Sequence, residues 1–406
     1  MEIEMIRTFH PVGQGAFYSE EFSHDGKVVF RVVYDCGCIN RKEAKARGQA
    51  VVEECIRNWK EHCQIDYLFI SHFDYDHVSL LHVFKNANIP VNRVVLPLLY
   101  PEDAKFCVQI FSTIYGEEHA NLCRLLIENP RNFFGAKTLI VRVRPNEKED
   151  QRDVAATFEE RLGRSQVLKN PIEVPSGTLF GPYGPFCGPE FDWCYVPRNF
   201  RHQIGIRGLC GKFDSILKPD GTVWFDKLME FCGRRGFPRI KRIYDRLPDK
   251  INDNSMVVYS GPSQGGGSGW LNCISRNLCC GKDSCCLEEQ ILRCYNRGGN
   301  ITCKNRSCRA GCMYTGDVNL AKVDVKDWYK GNWDCVGTIQ VPHHGSSHSF
   351  SVELFKEGAY VCPISCSDEG YYGHPHASVT NLLSSFGNYP IKVTESQPLT
   401  QNIFGV

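Results

Sequence analysis

Ser71-His72-Phe73-Asp74-Tyr75-Asp76-His77 follows directly on Ile65-Asp66-Tyr67-Leu68-Phe69-Ile70. The apolar, aromatic run at 65–70 predicts a buried strand. The stretch after it places four metal-competent side chains, His72, Asp74, Asp76 and His77, within six positions of a loop at that strand's C-terminal end. Side chains so close along the chain converge on one or two cations without help from distant segments. Such residues also cap helices, with Asp76 as a candidate N-cap. A cap needs only one of them and leaves three unexplained, so the stretch predicts a metal centre.

Residues 2–9 and 27–34 are short and β-branched, separated by Val12-Gly13-Gln14-Gly15 and His24-Asp25-Gly26, and read as a hairpin ending at Asp35-Cys36-Gly37. Ala44, Val51, Val52, Cys55, Ile56 and Trp59 recur at helical spacing over 42–63. Residues 92–99 predict a strand, and 101–134 a helical stretch with Phe106, Ile110, Ile114, Leu122 and Leu125 on its apolar face. Further strands are expected at 138–143, 172–180, 191–196, 255–260, 312–315, 338–341, 359–364 and 391–394, with a helix at 377–386. Strand and helix alternating in this way indicate an α/β layer architecture.

The 406 residues are 42% hydrophobic and 23% charged, which excludes a disordered chain and supports one large core or two ordinary ones. Lys and Arg number 47 against 46 acids, so no global field draws the chain to nucleic acid or anionic lipid, and any binding patch is local. No apolar run reaches the roughly 18 residues of a spanning helix, and the acidic Met1-Glu2-Ile3-Glu4-Met5 does not resemble a signal peptide. A cytoplasmic protein without membrane contact is expected. Of 22 cysteines, nine crowd into 273–312 (Cys273, Cys279, Cys280, Cys285, Cys286, Cys294, Cys303, Cys308, Cys312). In a reducing compartment such a cluster points to metal before disulfides. Cys303 and Cys308, with Cys279 or Cys280 and Cys285 or Cys286, offer four thiolates for a structural zinc, although no Cys-x-x-Cys knuckle is present. The alternative is an ordinary reduced loop. The scattered cysteines read as small buried hydrophobes.

Several other stretches carry chemistry. Tyr314-Thr315-Gly316-Asp317 ends an apolar strand, where Asp317 can bridge two cations. His343-His344-Gly345 ends another; adjacent histidines point in different directions, so one is expected to ligate, His343 by preference, while His344 orients substrate. His374, before Pro375, is either a rim residue of the site or a plain turn residue. Between 198 and 246 stand twelve Lys or Arg against five acids, a local +7 interleaved with Phe200, Phe213, Trp224, Phe225, Phe237 and Tyr244. That pattern suits a phosphate-backbone groove with stacking platforms, for which Arg234, Arg235, Lys241 and Arg242 are the candidate contacts. It also suits a solvated face over core aromatics.

Taken in order, these motifs resemble the metallo-β-lactamase fold superfamily, whose metal motif is His-x-His-x-Asp-His, and within it the hydrolase domain of the ComEC competence proteins, where the second His is Asp, as Asp74 is here. The resemblance runs through Val12-Gly13-Gln14-Gly15, Tyr34-Asp35-Cys36-Gly37, Asn254-Ser255-Met256-Val257-Val258, Tyr314-Thr315-Gly316-Asp317, Val341-Pro342-His343-His344-Gly345-Ser346 and Tyr372-Gly373-His374-Pro375. It implies one α/β domain over 1–406 with a four-layer αββα fold. A helical elaboration at 100–136, the basic segment at 198–250 and a Cys-rich insertion at 265–312 are additions, and the membrane channel of those proteins lies outside the resemblance. It also implies metal ligands His72, Asp74, Asp76, His77, Asp317 and His343, with Asp76, His344 and His374 in catalytic positions. No third histidine of the first metal site is evident, since His119 and His202 lie in helical and basic contexts. The oxygen-rich ligand set leans towards Mn²⁺ or Mg²⁺ and admits Zn²⁺. One or two such cations would acidify water and clamp an in-line displacement at phosphorus. The expected activity is a metal-dependent phosphodiesterase, foremost a nuclease acting on DNA or RNA. The alternatives are a cyclic-nucleotide phosphodiesterase and a binding protein with a decayed site.

Overall fold

The computed structural model describes residues 3–59, 62–146, 157–159, 162, 170–183, 192–200, 255–263, 270–274 and 309–405. Within them the chain is α/β with two mixed sheets. The first sheet grows from an antiparallel meander, β1 (Ile3–Phe9), β2 (Phe17–His24) and β3 (Lys27–Cys36). It continues in parallel through β4 (Ile65–Phe69), β5 (Val91–Pro97), β6 (Leu139–Val143) and β7 (Ile172–Val174). Parallel neighbours need crossovers, commonly helical. Here they are α1 (Lys42–Asn58), then α2 (Tyr75–Val78) with α3 (Leu81–Asn86), then α4 (Pro101–Tyr115), α5 (Glu117–Glu128) and α6 (Pro130–Phe134).

The second sheet pairs β8 (Cys194–Asn199) and β9 (Met256–Gly261) antiparallel and adds β11 (Gly311–Tyr314), β12 (Val336–Ile339), β13 (Val361–Ser365) and β14 (Tyr389–Val393). In it β11 to β14 run parallel. Helices α7 (Val325–Trp328) and α8 (Ala377–Ser385) belong to this half. β15 (Leu399–Gly405) returns to the first sheet between β1 and β10 (Trp270–Ile274), so the two ends of the described chain share one sheet.

Three apolar clusters follow from this arrangement. Val52, Leu68, Leu81, Phe111 and Leu126 join the first sheet to its helices. Phe9, Tyr34, Phe69, Tyr195, Val258 and Tyr314 join the two sheets. Val257, Met313, Ile339, Tyr360 and Leu383 join the second sheet to α8. Among the described residues no helix is long and apolar enough to cross a membrane.

Most expected elements are present near their places, and the departures have physical causes. The hairpin is a three-stranded meander. Its middle strand, Phe17-Tyr18-Ser19-Glu20-Glu21-Phe22, reads as polar, yet Glu20 is buried between the sheets. There it accepts hydrogen bonds from Arg7 (2.7 Å), Tyr195 (2.7 Å), Tyr314 (2.8 Å) and Ser260 (2.7 Å). Only tertiary partners make that strand's polarity tolerable. The helical stretch after residue 100 breaks into three, at Gly116 with φ of 89° and at Pro130. The strand expected at 172–180 stops at Val174. Cys312, counted with the clustered cysteines in the sequence, lies buried in β11 within the apolar cluster between the two sheets.

Candidate metal centre

Every chemically marked loop leaves the C-terminal end of a parallel strand, the usual place for a site in open α/β sheets. Residues 70–77 leave β4, 315–317 leave β11, 340–346 leave β12, and 366–375 leave β13. Two backbone approaches draw the first of these against β3. A Cβ on Gly37 would lie 2.5 Å from the Asp76 carbonyl carbon and the His77 nitrogen, so only glycine lets α2 start there. The Val12-Gly13-Gln14-Gly15 turn then ties down the far side, with Ala16 N–H donating to Asp76 O at 2.9 Å and Gly37 N–H to Ala16 O at 2.8 Å.

Hydrogen bonds fix the tautomers of three histidines. Asp35, buried and at φ of 55°, accepts from Ser71 N–H (2.7 Å), from the Ser71 hydroxyl (2.7 Å) and from His77 Nδ1 (2.8 Å). The Ser71 proton is thereby spent, so Ser71 Oγ, 2.9 Å from His72 Nδ1, can only accept from it. His344 Nδ1 donates to Ser365 O at 3.0 Å. In all three rings Nδ1 therefore carries a proton, and in the neutral form Nε2 is a bare lone pair.

Those Nε2 atoms face carboxylates. His77 Nε2 lies 3.3 Å from Asp317 Oδ1 and 3.9 Å from Asp76 Oδ1; His72 Nε2 lies 3.8 Å from Asp317 Oδ2; His344 Nε2 lies 3.1 Å from Asp76 Oδ2. His72 Nε2 and His77 Nε2 are fully buried without a hydrogen-bond partner. Two overlapping ligand groups result, His72 with His77 and Asp317, and Asp76 with His77 and His344. Acceptors gathered in this way repel one another unless positive charge sits among them. The titration behaviour states the same demand. Burial disfavours a charged His77, yet Asp317 and Asp35 hold it well above the usual range. Burial likewise disfavours a charged Asp76, which His344 and His77 nevertheless draw down to about 2. His72, its charge opposed first by burial and then by His77, is lowered to about 3 and offers a neutral ring. The residues present fit a divalent cation.

The second sheet's contribution is shaped by Gln340, which is buried. Its Oε1 accepts from Thr315 N–H (2.8 Å) and Gly316 N–H (2.9 Å), and its Nε2 donates to Gly316 O (3.2 Å). Gly316 has φ of 54°, and a Cβ there would stand 2.9 Å from that of Ser71. Asp317 N–H donates to Ser255 Oγ at 3.1 Å, and Met256 N–H to Ser71 O at 2.8 Å, which locks the two sheets' loops together. His343, His344 and Gly345 have φ of 50°, 55° and 78° in succession. Consecutive left-handed residues are uncommon outside glycine and gather at functional sites.

The predicted residues divide as follows. His72, Asp76, His77, Asp317 and His344 converge. His343 is near, its Nε2 3.9 Å from Asp317 Oδ2 and its Nδ1 3.0 Å from Ser349 Oγ, while His344, expected to orient substrate, stands in the group with Asp76 and His77. His374 flanks the group, its ring 6.0 Å from that of His343, and burial with the neighbouring histidines lowers it to about 3. Asp74 stands apart from both ligand groups: it is the N-cap of α2, accepting from Tyr75 N–H at 2.7 Å, the role foreseen for Asp76. His119 packs behind the loop against Tyr75 and Phe111. Arg234, Arg235, Lys241, Arg242, Cys279, Cys285, Cys303, Cys308 and His202 lie outside the described residues. Asp35, Ser71, Ser255 and Gln340 were given no role by sequence. For Asp35 and Ser71 a signal existed, since each sits where an apolar strand meets a marked loop; Gln340 had none. A scan against protein-family models finds no match, and a search of curated proteins finds none either.

Proposed function

We propose that the chain is a metal-dependent phosphodiesterase, foremost a nuclease, built on a four-layer αββα metallo-β-lactamase fold of the kind carried by ComEC-type hydrolase domains. The layer reading is supported by the three apolar clusters, with helices, sheet, sheet and helices in that order. The single observation that carries the activity is the convergence of three histidine Nε2 atoms and two carboxylates, each ring held through its other nitrogen. A divalent cation bound there supplies Lewis acidity to a phosphoryl oxygen and to attacking water.

The chain's own residues do the rest. Asp35 holds the His77 ring and its tautomer, as outer-sphere carboxylates do. The Ser365 carbonyl does the same for His344. Gln340 sets the turn from which Asp317 reaches across. On this reading His343 and His374, at the edge of the group, orient the substrate. Nucleic acid is favoured over a small phosphodiester by the basic segment 198–246, and the buried thiols at Cys36, Cys38, Cys107 and Cys123 accord with a reducing, cytoplasmic setting. The test is incubation with single-stranded DNA, duplex DNA, RNA and bis-p-nitrophenyl phosphate under Mn²⁺, Mg²⁺ or Zn²⁺. Chelator-sensitive cleavage of at least one polymer supports the reading. Absence of turnover for every substrate under every metal overturns it.

A further inference from the structure

Tyr372 is 70% exposed, the most exposed of the large apolar or aromatic side chains among the described residues. Its backbone is left-handed, with φ of 60°, between Gly370 at 64° and Gly373 at 69°. Glycine would adopt that conformation freely, and an exposed ring gains no burial to offset the strain. Stability therefore gives no reason for a tyrosine here.

The loop that carries it is nonetheless pinned. Glu395 accepts from the Ser367 hydroxyl at 2.9 Å and from Asp368 N–H at 2.7 Å, Asp368 accepts from the Ser396 hydroxyl at 2.9 Å, and Gly370 N–H and Gly373 N–H donate to Ser367 O and Gly370 O. An ordered loop thus holds an aromatic face out to solvent. The same loop runs on into the edge of the metal centre at His374, whose ring lies 6.0 Å from that of His343. Tyr372 is two residues from His374, a reach of at most about 7 Å along the chain. The next residue, Pro375, lies against Gly345, where a Cβ would be 2.6 Å from the proline's.

We propose that Tyr372 is a stacking platform for a nucleobase next to the scissile phosphate. The proposal rests on the phosphodiesterase reading and narrows it to substrates that carry a base. Base–aromatic stacking tolerates sequence because every base presents a π-face, so it fits a nuclease without base preference.

The experiment compares the full chain with Tyr372→Ala and Tyr372→Phe under Mn²⁺. The substrates are a single-stranded oligonucleotide and the same backbone with tetrahydrofuran abasic residues around the cleaved position. The alanine variant should shrink the kcat/KM preference for the base-bearing substrate at least about five-fold, the lower end expected for one lost stack. Phenylalanine should keep it, and a 2-aminopurine at that position should be quenched on binding by wild type and not by the alanine variant. If wild type cleaves and the preference survives in Tyr372→Ala, or falls equally in Tyr372→Phe, the platform is refuted while the phosphodiesterase reading stands. Failure of wild type to cleave any phosphodiester removes both.

Discussion

Replacing Asp35 with Asn tests whether the histidine tautomers are set for a cation. The amide keeps one acceptor for Ser71 N–H but turns an NH₂ towards the Ser71 hydroxyl and His77 Nδ1, which in the wild type lie 2.7 and 2.8 Å from a carboxylate oxygen. Two donors would then face the NH₂. His77 escapes by moving its proton to Nε2, the atom 3.3 Å from Asp317 where a cation would bind. Loss of an outer-sphere partner commonly costs ten- to hundred-fold in metal affinity, which is about 1.4–2.7 kcal/mol. Loss of hydrogen bonds to a buried charge takes about 1.5–3 kcal/mol more from the metal-free fold. Two measurements separate these effects. Calorimetric titration with Mn²⁺ reads the affinity, and urea unfolding with and without saturating Mn²⁺ reads the metal-linked gain, which should shrink by the affinity difference. An Asp35→Asn variant that folds and binds Mn²⁺ within two-fold of wild type would refute the tautomer argument.

Two further outcomes are expected. His119 is buried, and burial lowers it to about 4, so its neutral form stabilises the fold above pH 6.5 and that contribution is lost as pH falls from 6.5 towards 4. At pH 5 the loss is about 2 kcal/mol, and His119→Phe, which keeps the ring packing against Tyr75, should show a smaller drop in urea midpoint between pH 7.5 and 5 than wild type does; equal drops would discount it. Joint substitution of Arg234, Arg235, Lys241 and Arg242 by Ala should flatten the salt slope of oligonucleotide binding by up to about one unit for each phosphate left without its cation. An unchanged slope would assign those side chains to a solvated face.

The strand-and-loop grammar of the site was legible because it is local. An apolar strand followed by His72-Phe73-Asp74-Tyr75-Asp76-His77, or by Thr315-Gly316-Asp317, announces itself within a short stretch of chain. What could not be read were choices made between segments far apart in the chain. His343 and His344 are alike in sequence, and only the left-handed run at 343–345 and the Ser365 carbonyl decide which ring meets Asp76. Asp74 and Asp76 are both plausible caps, and the docking of Gly37 on the α2 entry decides between them. β2 was hidden because Glu20 looks like a surface residue until Arg7, Tyr195, Ser260 and Tyr314 surround it. β15 was missed for a related reason, since its place between β1 and β10 depends on segments far away in the chain.

If His72, Asp76, His77, Asp317 and His344 hold a divalent cation, the metal-free protein takes one up from solution. Equilibrium dialysis with Mn²⁺, a poor partner for thiolates and so blind to the cysteine cluster, tests it most directly. Wild type should bind at least one Mn²⁺ per chain, and Asp317→Ala and Asp76→Ala should each lose binding severely with circular dichroism and cooperative unfolding unchanged. Wild-type protein that takes up no Mn²⁺, or binding that survives in both folded variants, would contradict it.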